Sequence, residues 1–571
     1  MIRTPFRSML MGAAISMAAC VAPAFAALPA IFDRVPAEAM LVVTTKNLDE
    51  VDKGVSQLLA AIEVPALATP SELLRRAGLG DGIDMTKPIA IALMPGDLDG
   101  DLPPVVALLP TTNFDGMMNA FDAEAVDGVH AITIATGETL FVRKGEGGYA
   151  VASPMRELAV AVDGRGGNAK SHESTMGAVG AELANASHIT VVLKKPLLDM
   201  MQQQVGPMIE EQAGMAAMMG GGQMENMTEQ AKRAQEFIEG MLEDGRNIVI
   251  GTQAGASGLA FDVAMDFETD SEFGAMFSDS GDSAAMLKRL PSQPFLFALG
   301  ADFNAPVAKK LLDVMAQMKM AFVPGAGDIM KQAQGMATAV FVSPGGLMGG
   351  LFANTISYTA TADPKAMMAG IQDATQGGQE MAPGMMLTYE AGATEVDGTS
   401  VDAWSVQMDM NANQMGGGVV QQMSMMLFGP GGMGGYIAPG KNGVYQTLSK
   451  NSQLLRSALE AEGGDASLLD DRGLSMVASR LPKNRTVEAY IGVQSILSQG
   501  LQVAAMFGMP MQVEMPEQLP PIGVGVTTDR SAARAATFMP APVLKTLAQV
   551  AMQADQMFGG MGGGGDDAPP F

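Results

Sequence analysis

Residues 39–62 read AMLVVTTKNLDEVDKGVSQLLAAI. The apolar, β-branched run predicts a strand from Ala39 to Thr45. Asn47 then stands where a helix cap belongs, and Leu48, Val51, Val55, Leu58 and Leu59 recur at helical spacing toward Ile62. The same order returns along the chain. Ile189 to Leu193 runs into a helix beginning near Pro196. Phe295 to Gly300 runs into Pro306 to Met320, with Val307, Leu311, Leu312, Met315 and Met318 on one stripe. Thr486 to Val493 runs into Gln494 to Met506. These openings argue internal duplication, although their period is too loose for a short solenoid repeat.

Working outward from the first opening, strands are expected at Pro88 to Met94, Val105 to Leu109 and Val129 to Ala135, with a short helix at Asn113 to Phe121. That order, βαββαβ, is the split arrangement of ferredoxin-like folds. A hairpin follows, Glu138 to Arg143 and Tyr149 to Ala152 around Lys144-Gly145-Glu146-Gly147-Gly148, and then a closing helix from Pro154. The ending recurs at Tyr436 to Ala438, Pro439-Gly440-Lys441-Asn442-Gly443, Val444 to Leu448 and a helix from Asn451 to Leu459. Gly and Asn in those turns supply the positive φ of tight hairpins. The expected fold is therefore α+β: tandem modules of mostly antiparallel sheet with helices on one face.

Composition places the boundaries. Asp163 to Thr175 (DGRGGNAKSHEST) reads as a polar linker, and further breaks fall near Leu290-Pro291 and Ala461 to Ala466. The expected organisation is a first module over 27–165 and a second over 186–290 with a long Met-rich helical insert. A third, with a Gly/Met-rich loop, covers 291–465, and a strand–helix module covers 466–558. Gly559 to Phe571 has almost nothing to bury and is expected to be a disordered tail. Val543 to Phe558 reads as a packed helix.

Met1 to Ala26 reads as a secretory signal: Arg3 and Arg7, an apolar run from Met9 to Val21, and Ala24-Phe25-Ala26 as the cleavage site. The run is short of the ~20 apolar residues a membrane span needs, and no later stretch qualifies. Export to the periplasm or beyond is expected. The alternative is a lipoprotein anchored at Cys20 through Met17-Ala18-Ala19-Cys20. Cys20 is the sole cysteine, so cleavage at Ala26 leaves a chain without disulfides, thiolate catalysis or cysteine zinc sites. A net charge of −26 repels nucleic acid and anionic lipid headgroups, and its simplest consequence is solubility.

Signs of catalysis are weak. His130, His172 and His188 lie far apart, and His172-Glu173 lacks the second His of a zinc helix. Gly435 to Asn442 nearly matches a phosphate-binding loop but lacks Ser or Thr at 442 and sits in a hairpin instead of a strand-to-helix turn. Asp97-Leu98-Asp99-Gly100-Asp101 lacks the glycine and the final glutamate of a calcium loop. There is no G-x-S-x-G elbow, and no histidine triad can be drawn. The chain is read as no enzyme and as requiring no cofactor.

Methionine is the anomaly, with 50 in the chain and clusters at Met200 to Met227, Met408 to Met433 and Met506 to Met515. Unbranched thioethers fill adaptable cores and grooves, which is the leading reading. Thioether sulfur is also a soft ligand for Cu(I), which makes Met408, Met410, Met423, Met425 and Met426 the alternative metal residues. A third reading is a carrier of apolar ligands or unfolded chains, with a groove between the helices Leu197 to Met219 and Glu225 to Leu242.

Leu28-Pro29-Ala30, then Val35-Pro36-Ala37-Glu38-Ala39-Met40 and the strand Leu41-Val42-Val43, resemble the opening of large exported bacterial proteins classed only as domains of unknown function. Those share a V-P-A-D-A turn before an apolar strand; Glu38 stands here in place of the Asp. The resemblance transfers no catalytic residue. With it, the expectation is a non-catalytic exported envelope protein with a binding or structural role. Its ligand or envelope partner and its oligomeric state are not specified by the sequence.

Overall fold

The structure is a computed structural model. It describes residues 28–558 except 65–68, 77, 79, 97–103, 122, 135–136, 204–223, 318–330, 376–378, 383–384, 409–423, 465, 507 and 509–514. The export signal, the acidic turn Asp97 to Asp101, most of the expected helix Leu197 to Met219 and the tail from Gly559 lie outside the described residues. The chain forms two compact units. One holds the chain up to Ala275 together with Arg530–Ala536, the other Met276–Asp529 and the residues from Thr537 onward. Of the four strand–helix openings, those at Leu41 and Ile189 fall in the first unit and those at Phe295 and Val487 in the second.

In the first unit the strands up to Ala275 are β1 (Leu41–Thr45), β2 (Ala90–Leu93), β3 (Val105–Pro110), β4 (Ala125–Val126), β5 (Val129–Thr133), β6 (Thr139–Lys144), β7 (Tyr149–Ser153), β8 (Ile189–Lys194), β9 (Gly245–Gly255) and β10 (Gly258–Phe267). They pair antiparallel in the order β4-β5-β6-β7-β3-β2-β1-β8-β9-β10. The second unit has β11 (Phe295–Asp302), β12 (Gly335–Phe341), β13 (Thr355–Ala360), β14 (Gln379–Ala382), β15 (Met385–Val396), β16 (Thr399–Met408), β17 (Gly434–Pro439), β18 (Gly443–Thr447), β19 (Val487–Ile491) and β20 (Ile522–Asp529). Their antiparallel order is β14-β15-β16-β17-β18-β13-β12-β11-β19-β20. Matching β11 to β1 and β19 to β8 makes the orders agree from β15 through β20. In each unit the two openings pair at the middle, Val43 opposite Val191 and Leu299 opposite Ala489.

This order departs from the expected ferredoxin-like unit. There the first strand sits beside the third; here β1 pairs with β2 and β8, and consecutive strands lie side by side. Short connections favour such neighbouring pairs, and the central pairing comes from the next opening along the chain.

The first unit's helices include α1 (Leu48–Ile62), α2 (Phe114–Asn119) and α3 (Ala169–Ala186). Asn47 caps α1 by accepting from Glu50 N–H at 2.6 Å. Helices cover both faces of the sheet, which corrects the expectation of one. Val106 and Leu108 of β3 pack with Met176, Val179 and Leu183 of α3, while Leu109 packs with Phe114, Met117 and Met118 of α2. Adjacent residues of a strand point to opposite faces, so both sides of β3 are covered. Full burial of such side chains stabilises by about 1.5–3 kcal/mol each.

Of the stretch expected as a linker, Asp163 to Asn168 lies outside any helix, whereas Ala169 to Thr175 is the start of α3, and His172 in it is fully buried. The helix breaks at Gly177 (φ 65°), beside the Asp266 carboxylate, which accepts the Gly180 N–H. A side chain at 177 would run into that carboxylate. Among the described residues no helix is long and apolar enough to cross a membrane.

Candidate functional site

The second unit contains a cleft of about 900 Å³. Its walls are the turn Ser292 to Phe295 ahead of β11, the loop Val342 to Gly346 after β12, and one side of a helix, α4 (Val493–Met506), which follows β19. Val342 N–H donates to Pro294 O at 2.9 Å and joins the first two walls. Gly346 has φ 57°, and a Cβ there would stand 3.2 Å from Gln502 Oε1, so the loop passes close over α4. A neighbouring hollow of about 530 Å³ shares Ser343 and Pro344 with the cleft and is lined further by Asn354, Ser405, Phe428 and Lys450. Its rim is tied by Leu351 N–H to Met426 O at 2.9 Å and Phe352 N–H to Leu427 O at 2.7 Å, and the backbones meet at Gly350 and Gly429.

The lining is mostly uncharged. Gln494, Ser498 and Gln502 recur every four residues, which places them on one line of α4, and Ser495 and Gln499 lie beside it. Asp471 is the carboxylate of the cleft; its Oδ1 caps the next helix by accepting Leu474 N–H at 2.8 Å. Two exposed methionines neighbour lining residues in the chain. Met348, 76% exposed, belongs to the loop between the two hollows, and Met506, 71% exposed, ends the line through Gln502.

The first unit treats the corresponding turn differently. Lys194 N–H donates to Met40 O at 2.9 Å, and Gly492 N–H donates to Leu296 O at 2.9 Å, so Lys194 and Gly492 hold the same place in the two units. Lys194 Nζ turns under the Val35 to Ala39 turn and donates to Ala37 O at 2.7 Å. His172 Nε2 meets Val35 O at 3.0 Å, while its Nδ1 is buried without a partner. Burial pushes Lys194 down to about 8 against the opposing charge of Glu38. Burial, aided by the Lys194 ammonium, pushes His172 down to about 4, so the imidazole is neutral at pH 7. At Gly492 no such side chain fits, because a Cβ would collide with the Phe295 carbonyl oxygen.

Of the five methionines named from sequence, Met410 and Met423 lie outside the described residues. Met408 ends β16 opposite Met385, and Met425 and Met426 are exposed neighbours on a helical turn over 424–428. The described residues hold no group of three or more His, Cys, Asp or Glu placed to bind a metal. The near phosphate loop is filled by the protein itself: Lys441 and Asn442 N–H donate to the Glu462 carboxylate at 2.8 and 3.2 Å. His130 Nδ1 meets Ala123 O at 3.0 Å, and His188 is buried.

Sequence reasoning missed the glutamine–serine line of α4, whose signal was polar residues at i, i+4 and i+8 in a helix read only as the sequel of the strand Thr486 to Val493. It also missed a shared lead-in. Arg34-Val35-Pro36, Arg289-Leu290-Pro291 and Arg480-Leu481-Pro482 precede β1, β11 and β19. Comparison of the chain with protein-family models, with curated proteins and with solved structures finds no match in any of the three.

Proposed function

We propose that this chain is an exported, non-catalytic binding protein of the bacterial envelope, and that the cleft of its second unit holds the ligand. The observation that carries this reading is the neighbouring pair of hollows, about 900 and 530 Å³, which share Ser343 and Pro344 and are lined mostly by uncharged amides, hydroxyls and glycine backbone. Sites that hold ligands are concave, with a few convergent polar groups on an otherwise apolar wall. Among the described residues no imidazole lines either hollow. The repeated strand order supports a duplicated scaffold in which one copy kept its turn closed and the other opened it. The sequence of Met1 to Ala26 supports export.

Native mass spectrometry of protein purified from its own envelope tests both parts. The chain is expected to begin at Ala27 and to carry a non-covalent ligand that the Ser498→Trp variant loses. Ser498 is exposed on the cleft wall, so the indole fills the cleft without disturbing the core. A bare wild-type chain, or a ligand retained equally by the variant, would contradict the assignment.

A further inference from the structure

We propose that the cleft takes an extended polypeptide segment, an inference that rests on the cleft being a binding site at all. The chain already displays the mode of recognition. The Gln494 side-chain amide docks on an irregular stretch of this same chain that itself contributes Leu519 and Pro521 to the cleft: Nε2 donates to Glu517 O at 3.2 Å, and Oε1 accepts from Leu519 N–H at 2.9 Å. One primary amide thereby satisfies a backbone acceptor and a backbone donor two residues apart, as a neighbouring strand would.

Two more glutamines stand further along the same helix. Gln499 is 7% exposed, Gln502 lies two turns beyond Gln494, both line the cleft, and neither side-chain amide makes a hydrogen bond among the described residues. A primary amide on the cleft wall offers a ligand both a donor and an acceptor, as Gln494 does to Glu517 and Leu519. A peptide backbone supplies that pair at every residue.

Charge and the exposed methionines agree with this occupant. In a chain of net charge −26, the described lining of the two hollows carries one carboxylate, Asp471, and one ammonium, Lys450, which suits an uncharged backbone. Met348, in the loop that carries the lining residues Gly346 and Gly349, and Met506, one turn beyond Gln502, are exposed, and methionine is flexible, polarizable and tolerant of varied apolar side chains. A sugar ring would instead call for a flat exposed aromatic face, and the phenyl ring of the larger cleft, Phe295, is buried, while half-buried Phe428 lines the smaller hollow.

Fluorescence anisotropy on the full chain separates the possibilities. The first probe is an end-blocked, labelled peptide with the sequence Met515 to Pro521 of this chain, carrying Glu517→Gln. The second is a labelled, neutral, linear hexasaccharide of N-acetylglucosamine. The expected result is saturable peptide binding, weakened at least tenfold both by Ser498→Trp and by the double change Gln499→Leu with Gln502→Leu, with no binding of the sugar. Sugar binding that Ser498→Trp abolishes, without peptide binding, would overturn the polypeptide inference and leave the cleft as a site. Binding of neither probe, or peptide binding that survives both variants, would overturn the inference and the site together.

Discussion

In the first unit the turn ahead of the central strand is closed from beneath by Lys194 and His172, whose nitrogens meet the carbonyls of Ala37 and Val35. In the second unit the same turn has Gly492 beneath it and opens into the cleft. The strand orders agree, so the difference lies in side chains laid on a shared backbone plan. A lysine long enough to reach a turn carbonyl makes that space protein. A glycine leaves it for solvent or ligand. The closed version carries a cost of its own, because an ammonium and an imidazole are held away from water.

That cost makes pH the strongest way to separate the units. His172 has its folded value near 4, below its ordinary 6.5, so its contribution is present above pH 6.5 and is lost as pH falls toward 4. Asp266 is pushed the other way, up to about 6 from 3.8, chiefly by burial and against the Arg246 charge. Its contribution is present below pH 3.8 and is lost as pH rises through 6. The two oppose one another between about pH 4 and 6. Asp266→Asn removes one limb. The variant's advantage in the first unit is then expected to grow to about 3 kcal/mol as pH rises from about 4 to 6.5, each tenfold change in proton affinity being worth ~1.4 kcal/mol. Trp404, the chain's one tryptophan, reports the second unit alone, so the gain should appear in far-ultraviolet circular dichroism and not in tryptophan fluorescence during denaturant unfolding. Equal movement in both signals would break the contrast.

Lys194→Ala takes away the donor to Ala37 O and leaves a void in the first unit. A loss of about 2–3 kcal/mol is expected, again seen by circular dichroism. A neutral result would mean that Lys194 does not close the turn. The second unit has its own sealed turn, and Glu462→Ala should cost it about 2 kcal/mol by freeing the amides of Lys441 and Asn442, this time shifting the Trp404 transition. The smallest effect is expected at the rim. Met425→Leu with Met426→Leu should change stability by less than ~0.5 kcal/mol, since both side chains are exposed. The same pair separates packing from ligation: Cu(I) titration against a chelator should look alike before and after the change. A stoichiometric site lost with these residues would make soft-metal binding the better reading.

The local elements were legible in the sequence because strand and helix periodicity are local signals. Asn47 and the stripe from Leu48 gave α1 to within a residue of its start, and the hairpin turns at Lys144 to Gly148 and Pro439 to Gly443 lie between paired strands as expected. Strand order was not legible, since it depends on pairings such as Val43 with Val191 that no local pattern encodes. The first half of α3 was hidden because its buried positions include His172 in a polar run, and polar runs resemble linkers. The cleft was hidden for a related reason. Glutamine and serine on a helix read as a solvated face until the fold brings the Ser343 loop and the Phe295 turn over them.

Hydrogen exchange read by mass spectrometry, with and without the Met515-to-Pro521 peptide, tests the central claim most directly, because it reports both versions of the turn in one experiment. The account predicts slowed exchange in Ser292 to Phe295, Val342 to Gly346 and Gln494 to Gln502, with no change in Val35 to Met40 or around Lys194. Protection centred on the first unit's turn, or none in the cleft segments at saturating peptide, would contradict it.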